Sequence, residues 1–260
     1  GHEDHIGAVP YLWERLKVPI YCTAFTAELV RSKLAEVGLL DIVPIHVVKA
    51  GEKIDLTPYE ITYVPLAHSI AEGHGLKIKT HQGTIFHTGD FKLDDTPIIG
   101  PACPSDILKA IGDEGVLAMI GDSTNVFNTQ ESGSEGDVLA GLMKVVGKIK
   151  GRIAITTFAS NVARLDSIGK VAKASGRDVV LLGRSMLRIV AAAKATGYLK
   201  DFPRIIDEKH ANDLPKDKVL LLCTGCQGEP RAALSRIARD DHRNVGLNKG
   251  DTVIFSSKMI

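Results

Sequence analysis

Apolar and polar positions change their rhythm halfway along the chain. Over the first hundred residues, short apolar runs are separated by polar turns. IYCTAF (20–25), IHVVKAG (45–51), ITYVPLAH (61–68), GLKIKT (75–80) and GTIFHTGD (83–90) read as strands, while TAELVRSKLAEVGLL (26–40) has a helical period with Gly38 as its stop signal. Most of the links are short, which favours one compact layered α/β unit over a string of modules. VLAMIGDST (116–124) then predicts a buried strand that ends in a polar corner.

From Ser134 onward the two periods alternate. Ser134 with Asp137 three residues on resembles a capping box, opening the helix GDVLAGLMKVVGKI (136–149). There follow the strand RIAITTF (152–158), the helix NVARLDSIGKVAKAS (161–175), the strand DVVLLG (178–183) and the helix RSMLRIVAAAKATG (184–197). KVLLLC (218–223), PRAALSRIAR (230–239) and DTVIFSS (251–257) continue the alternation as strand, helix and strand. Such an order predicts a parallel sheet flanked by helices. The polar stretch VFNTQESGSEG (126–136) separates the two textures, so domains are expected at 1–130 and 131–260. No apolar run approaches the roughly 20 residues a membrane span requires, and no membrane association is expected.

Composition adds two points. Of 260 residues 44% are hydrophobic and 24% charged, the balance of a soluble globular protein with enough chain for a substantial core. Cys22, Cys103, Cys223 and Cys226 are too few and too scattered for a disulfide framework, which fits a reducing, cytoplasmic location. Cys223 and Cys226 have C-x-x-C spacing, but without a second pair neither a redox nor a zinc role is expected of them. The formal net charge of +1 hides a split: between Leu139 and Lys200 twelve basic residues face two acids, a local +10 that leaves −9 for the rest. This suggests a basic surface for a polyanion joined to an acidic, metal-compatible part, the alternative being merely solvated helix faces.

The candidate chemistry begins at residue 2. His2-Glu3-Asp4-His5 offers two imidazoles and a carboxylate within four residues, and neutral imidazole and carboxylate are what Zn²⁺ accepts. Its histidines are three apart, unlike the zincin helix motif. In a tight turn His2 can aim at one ion while Asp4 and His5 diverge toward a second. YVPLAHSI ends a strand on His68, and GTIFHTGDF ends another on Asp90, whose two oxygens could each take one cation. In the second half, Arg184 and Ser185 follow Gly183 at a strand-to-helix junction, where free N–H groups and the helix dipole attract phosphate. Ser160 and Asn161 open another helix and read the same way, with a simple N-cap as the alternative for each. His46, His74, His81, His87, His210 and His242 have no paired ligands in sequence, and GLMKVVGKI lacks the spacing of a P-loop. Aromatic residues are too few to predict a base-stacking platform.

The order H-E-D-H-x-G, strand-terminal H-S, H-T-G-D-F-K and G-D-S-T-N resembles the metallo-β-lactamase fold of the β-CASP group, and within it the ribonuclease J family. FASNVARLDSIGKVA, GRSM, TGCQGEPRAALSRIA and GDTVIFSSKMI resemble the β-CASP insertion in the expected order, although Cys226 stands where the family usually has serine. The resemblance implies a partial αββα sandwich with an inserted, partial β-CASP α/β domain. It implies two zinc ions per subunit, one on His2 and His68, the other on Asp4 and His5, with Asp90 bridging. Asp4, Asp90 and Asp122 would then be catalytic, Asp122 orienting a histidine; its alternative is the cap of the following turn. Ser160, Asn161, Arg184 and Ser185 would touch the RNA backbone.

The implied activity is hydrolysis of RNA phosphodiester bonds, internally and from the 5′ end, in RNA processing and decay. Single-stranded RNA, a homodimeric or homotetrameric assembly and RNA-decay proteins are the partners so implied. In the family's His-x-His-x-Asp-His hallmark the first histidine would fall two positions before His2, ahead of Gly1, and two further histidines are expected beyond Ile260. Both ends are therefore expected to be cut, and the segment by itself to be weakly active or inactive. Two rivals stand: a β-CASP nuclease acting on DNA, and a silent RNA-binding scaffold. With no 2′-hydroxyl contacts identifiable, the motifs and not the physics favour RNA.

Overall fold

The computed structural model describes residues 1–102, 105–129 and 133–258, so Cys103 and the expected boundary at 130/131 lie outside the described residues. The chain divides into two compact units, Gly1–Ser134 and Glu135–Ile260.

The first unit runs α1 (Glu3–Ile6), α2 (Val9–Leu16), β1 (Ile20–Cys22), α3 (Ala24–Glu36), β2 (Ile45–Val47), β3 (Lys53–Leu56), β4 (Tyr59–Pro65), β5 (His74–Thr80), β6 (Gly83–His87), α4 (Ser105–Asp113) and β7 (Ala118–Ile120). Strands β3-β4-β5-β6-β7 form one sheet, antiparallel as far as β6 and parallel between β6 and β7, while β1 and β2 make a separate parallel pair. Val64 and Phe86 of the sheet and Leu66 just after β4 pack with Ile111 of α4, and α3 buries Phe25, Ala27, Leu29, Val30 and Leu34.

Four elements of this unit are absent from the sequence reading, and one expectation is corrected. The His2 carbonyl accepts the amides of His5 (3.1 Å) and Ile6 (3.0 Å), so the stretch expected to be a tight turn winds into helix α1. Pro10 sits in the first turn of α2, where its missing N–H costs nothing. Strand β3 alternates over only four residues, Lys53–Leu56, too short a run to stand out, and α4, with Ile107, Leu108 and Ile111 at helical spacing, was overlooked behind the Pro-rich stretch at 97–104. VLAMIGDST was expected to be buried. Instead β7 is an edge strand paired only with β6, and Met119 and Ile120 are 70% and 54% exposed.

The second unit runs α5 (Glu135–Val146), β8 (Ile153–Thr156), α6 (Val162–Ala174), β9 (Asp178–Leu182), α7 (Arg184–Ala195), β10 (Ile205–Ile206), β11 (Val219–Cys223), α8 (Ala233–Ala238) and β12 (Thr252–Phe255). All its strand pairs are parallel, in the order β10-β9-β11-β8-β12, as the alternating periods predict. The central strands β8 and β11 are buried at every position, which explains their unbroken apolar runs. Gly183 joins β9 to α7 with φ +116°, and a Cβ there would lie 2.7 Å from the Thr224 hydroxyl, so only glycine fits.

Three of the basic residues counted above are spent inside this unit. Arg177, 4% exposed, donates from Nη1 to the carbonyls of Gly151 (2.9 Å), Lys216 (3.1 Å) and Val219 (3.2 Å), and from Nη2 to that of Ile149 (2.8 Å). Arg152, equally buried, donates to Asn212 Oδ1 and to the carbonyls of Ala211 and Gly246. Arg164 grips Glu135 with two bonds of 2.8 and 2.9 Å and reaches the Ser256 carbonyl. The surface of this unit is thus less basic than its sequence. Among the described cysteines Cys223 is fully buried and its thiol is pushed up to about 12 by burial, and burial also raises Cys226.

Two outcomes are expected. Arg177→Met, leaving four carbonyls without their donor, lowers stability by on the order of 3 kcal/mol in urea unfolding; a loss within ~0.5 kcal/mol would show those bonds to be unimportant. Cys223 and Cys226 react with a thiol reagent such as dithionitrobenzoate only on unfolding, whereas rapid reaction of both in the native chain would restore the redox reading.

Candidate metal centre

Three separate stretches meet at one carboxylate oxygen. Asp90 Oδ2 lies 3.0 Å from His5 Nε2, 3.7 Å from His68 Nε2 and 4.0 Å from His2 Nδ1, and Asp4 Oδ2 is 3.6 Å from His5 Nε2. Two sets of donors result, His2 with His68 and Asp90, and Asp4 with His5 and Asp90, each with its donor atoms within 4.8 Å of one another. Ligands at ~2.0–2.2 Å around a tetrahedral ion stand about 3.4 Å apart, so both sets fit a divalent cation of that size. The first set is the more enclosed: His2 and His68 side chains are 17% and 23% exposed, against 46% and 78% for His5 and Asp4.

The fold brings these groups together by backbone pairing. The Lys92 amide donates to the Ala67 carbonyl at 2.7 Å, an isolated antiparallel bridge that sets the loop bearing His68 beside the loop bearing Asp90. His2 is the N-cap residue of α1, and the first turn of that helix presents Asp4 and His5. Glu3 faces elsewhere, its carboxylate taken by Lys33 of α3 at 2.5 Å. The Ser69 hydroxyl is 3.1 Å from His2 Nε2, which leaves Nδ1 directed at Asp90. Sequence reasoning missed Ser69, although its place next to His68 in the H-S pair was a usable signal.

Burial makes the inner imidazoles poor proton acceptors. It pushes His2 down from 6.5 to about 4, with the neighbouring His68 ring adding to the effect, and it lowers His68 despite the nearby Asp90 and Asp122 carboxylates. Neutral rings are the form that a metal takes.

Asp122 lies outside both donor sets. Its carboxylate accepts from the Thr124 amide (2.8 Å) and takes further hydrogen bonds from the Thr124 hydroxyl and the Phe91 amide, and its acidity is increased chiefly by the Thr124 contacts. His87, one of the unpaired histidines, is exposed and its Nδ1 accepts the Gly89 amide at 3.0 Å. In the second unit Asn161 is 9% exposed and doubly engaged: Oδ1 caps α6 by accepting the Arg164 amide at 2.9 Å, and Nδ2 donates to Glu135. The N-terminus of α7 differs. Arg184 and Ser185 are exposed, and no side chain caps that helix.

Comparison with known proteins agrees with both units. Residues 1–109 match the family model described as a beta-lactamase superfamily domain, and residues 150–260 match that of the ribonuclease J beta-CASP domain. Together they define a chain of the metallo-β-lactamase fold carrying a β-CASP domain, a class in which a metal cofactor is implied. Ribonuclease J of Sinorhizobium meliloti is 44% identical over all of this chain and 46% of its own length. Ribonuclease J 1 of Streptococcus pyogenes is 40% identical over 46% of its length, and ribonuclease J of Corynebacterium glutamicum 43% identical over 36% of its length. Over its whole length the chain is similar to these ribonuclease J proteins, and it spans less than half the length of these curated relatives. A crystal structure of a protein of unknown function from Enterococcus faecalis V583 shares the fold, with a TM-score of 0.55 and 15% identity over 79% of this chain and 53% of that one. Among the described residues no helix is long and apolar enough to cross a membrane.

In the metal-free chain the His2 ring is expected to titrate near pH 4 in proton NMR. Unfolded His2 takes its proton near 6.5 and folded His2 near 4, so between these values the unfolded state holds the extra proton. Its contribution to stability is therefore full above about pH 6.5 and is lost as the pH falls toward 4. A His2 resonance titrating at 6.5 would contradict the burial that lowers it.

Proposed function

We propose that this chain carries the metal centre and part of the RNA-binding surface of a two-zinc ribonuclease, which hydrolyses phosphodiester bonds of single-stranded RNA internally and from the 5′ end. The observation that carries the reading is the convergence of two imidazole and carboxylate sets on Asp90 Oδ2. A pair of divalent cations bound there would bring the pKa of a water toward neutrality and offset the charge that develops on the scissile phosphate.

The roles of the side chains follow from their positions. His2 and His68 hold the enclosed ion as neutral rings, and the Ser69 hydroxyl fixes which His2 nitrogen is turned to it. Asp4 and His5, the more exposed pair, would hold the second ion. Asp90 joins the two sets and keeps them at a fixed separation. Asp122, hydrogen-bonded to the Phe91 amide one residue beyond Asp90, supports the loop that carries the bridging carboxylate. In the second unit the uncapped N-terminus of α7, with Arg184 and Ser185, suits a backbone phosphate. Ser160 is a second candidate contact; Asn161, held by Glu135 and the Arg164 amide, serves mainly as the cap that shapes that helix start.

The test is made on the protein at the full length of the relatives that this chain matches. Two zinc ions per chain are expected by elemental analysis, and Asp90→Asn is expected to lose them and to lower RNA hydrolysis at least about 10²-fold, the range seen when a transition-state charge loses its stabiliser. A silent scaffold predicts instead no stoichiometric zinc and no effect of the substitution. Parallel assays on RNA and DNA strands of one sequence separate the substrates, since preferred cleavage of DNA would overturn the RNA assignment while leaving the metal centre intact.

A further inference from the structure

We propose that Thr88 is a positioning residue of the metal centre, its buried hydroxyl pinning the turn that carries Asp90 to the turn that carries Asp122. Thr88 is only 4% exposed, and its Oγ1 makes two bonds of opposite sense: it donates to the Gly89 carbonyl at 2.6 Å and accepts the Asp122 amide at 3.0 Å. Its own amide donates to the Ile120 carbonyl at 2.9 Å, extending the pairing of β6 with β7 up to the site. One hydroxyl therefore joins the backbone immediately before Asp90 to the backbone at Asp122.

The rest of that loop is fixed from its far end. Lys92 bonds through its amide to Ala67, and its Nζ is held by Asp94 Oδ2 (2.9 Å) and the Gly133 carbonyl (2.7 Å). Between Thr88 and Lys92 only Gly89, Asp90 and Phe91 remain, and Gly89 at φ +59° is in a conformation that glycine enters and leaves freely, so the loop depends on its two end anchors. Removing the Thr88 hydroxyl would leave a carbonyl and an amide without their partner at the near end. The carboxylate shared by both donor sets would then lose the definition of its position, to which metal ligation is sensitive at ~0.5 Å. Groups that orient ligands in this way are typically worth 10- to 100-fold in metal affinity.

This inference rests on the two-cation reading, and the experiment separates the two. Co²⁺ is titrated into the metal-free protein at the full length of its relatives, as wild type and as Thr88→Val, Thr88→Ala and Thr88→Ser, followed by visible absorption and by competition with a chromogenic chelator. Wild type and Thr88→Ser, which keeps the hydroxyl, are expected to bind alike. Thr88→Val, nearly isosteric, and Thr88→Ala are expected to bind about 10-fold more weakly or worse, with altered ligand-field bands and with melting temperatures of the metal-free forms near that of wild type. Wild-type affinity and spectrum in Thr88→Val would overturn the assignment, as would a lowered melting temperature with unchanged affinity, which is the mark of a merely structural hydroxyl. If neither hydroxyl-free variant folds, Thr88 is a folding requirement and the assignment is likewise overturned. If the wild-type chain binds no Co²⁺, the two-cation reading itself falls.

Discussion

One carboxylate oxygen has to be in the right place for anything else at this site to matter. Asp90 Oδ2 is the atom that both donor sets share, and it sits among three imidazole nitrogens within 4.0 Å. That closeness is tolerable because an imidazole nitrogen and a carboxylate can share a proton or a cation where two like charges could not. The antiparallel sheet ends β6 at the loop bearing Asp90, the Ala67–Lys92 bridge adds the loop bearing His68, and α1 closes the third side. The first unit reads as a frame for delivering that one side chain.

The second unit answers a different constraint. A parallel sheet is covered on both faces, so its strands must be apolar throughout and its polar chemistry is pushed to the strand ends. Here this also draws guanidinium groups inward: Arg152 and Arg177 satisfy carbonyls of loops that no ladder reaches. Buried guanidinium groups are costly unless they are hydrogen-bonded. Backbone oxygens around the Nη atoms, with Asn212 Oδ1 for Arg152, offset that cost, while the Nε of each is left without a partner.

The site residues with motif spacing were legible in the sequence because each sits where a strand or a helix starts or stops. His68 and Asp90 follow apolar runs, His2 opens a cluster, and Gly183 marks a junction that no other residue could make. The parallel alternation of the second half was legible for the same reason, since it rests on local period. What was hidden depends on partners far along the chain. The winding of α1, the orienting contact of Ser69 and the two bonds of the Thr88 hydroxyl are tertiary hydrogen bonds, and no period announces them. The charge count misled in one respect, because sequence cannot tell a surface arginine from one that is bonded to four carbonyls.

The exposed edge β7 has a consequence for how this chain behaves in concentrated solution. Among the described residues no strand pairs with its outer side, the side chains of Leu117, Met119, Ile120 and Phe127 are exposed, and no charged residue lies between Leu117 and Gly121 to repel an incoming strand. Natural proteins guard such borders with lysine, proline or a bulge. Lacking these, this border is an open template, and colloidal stability of the 260-residue chain will be governed there rather than by its near-zero net charge.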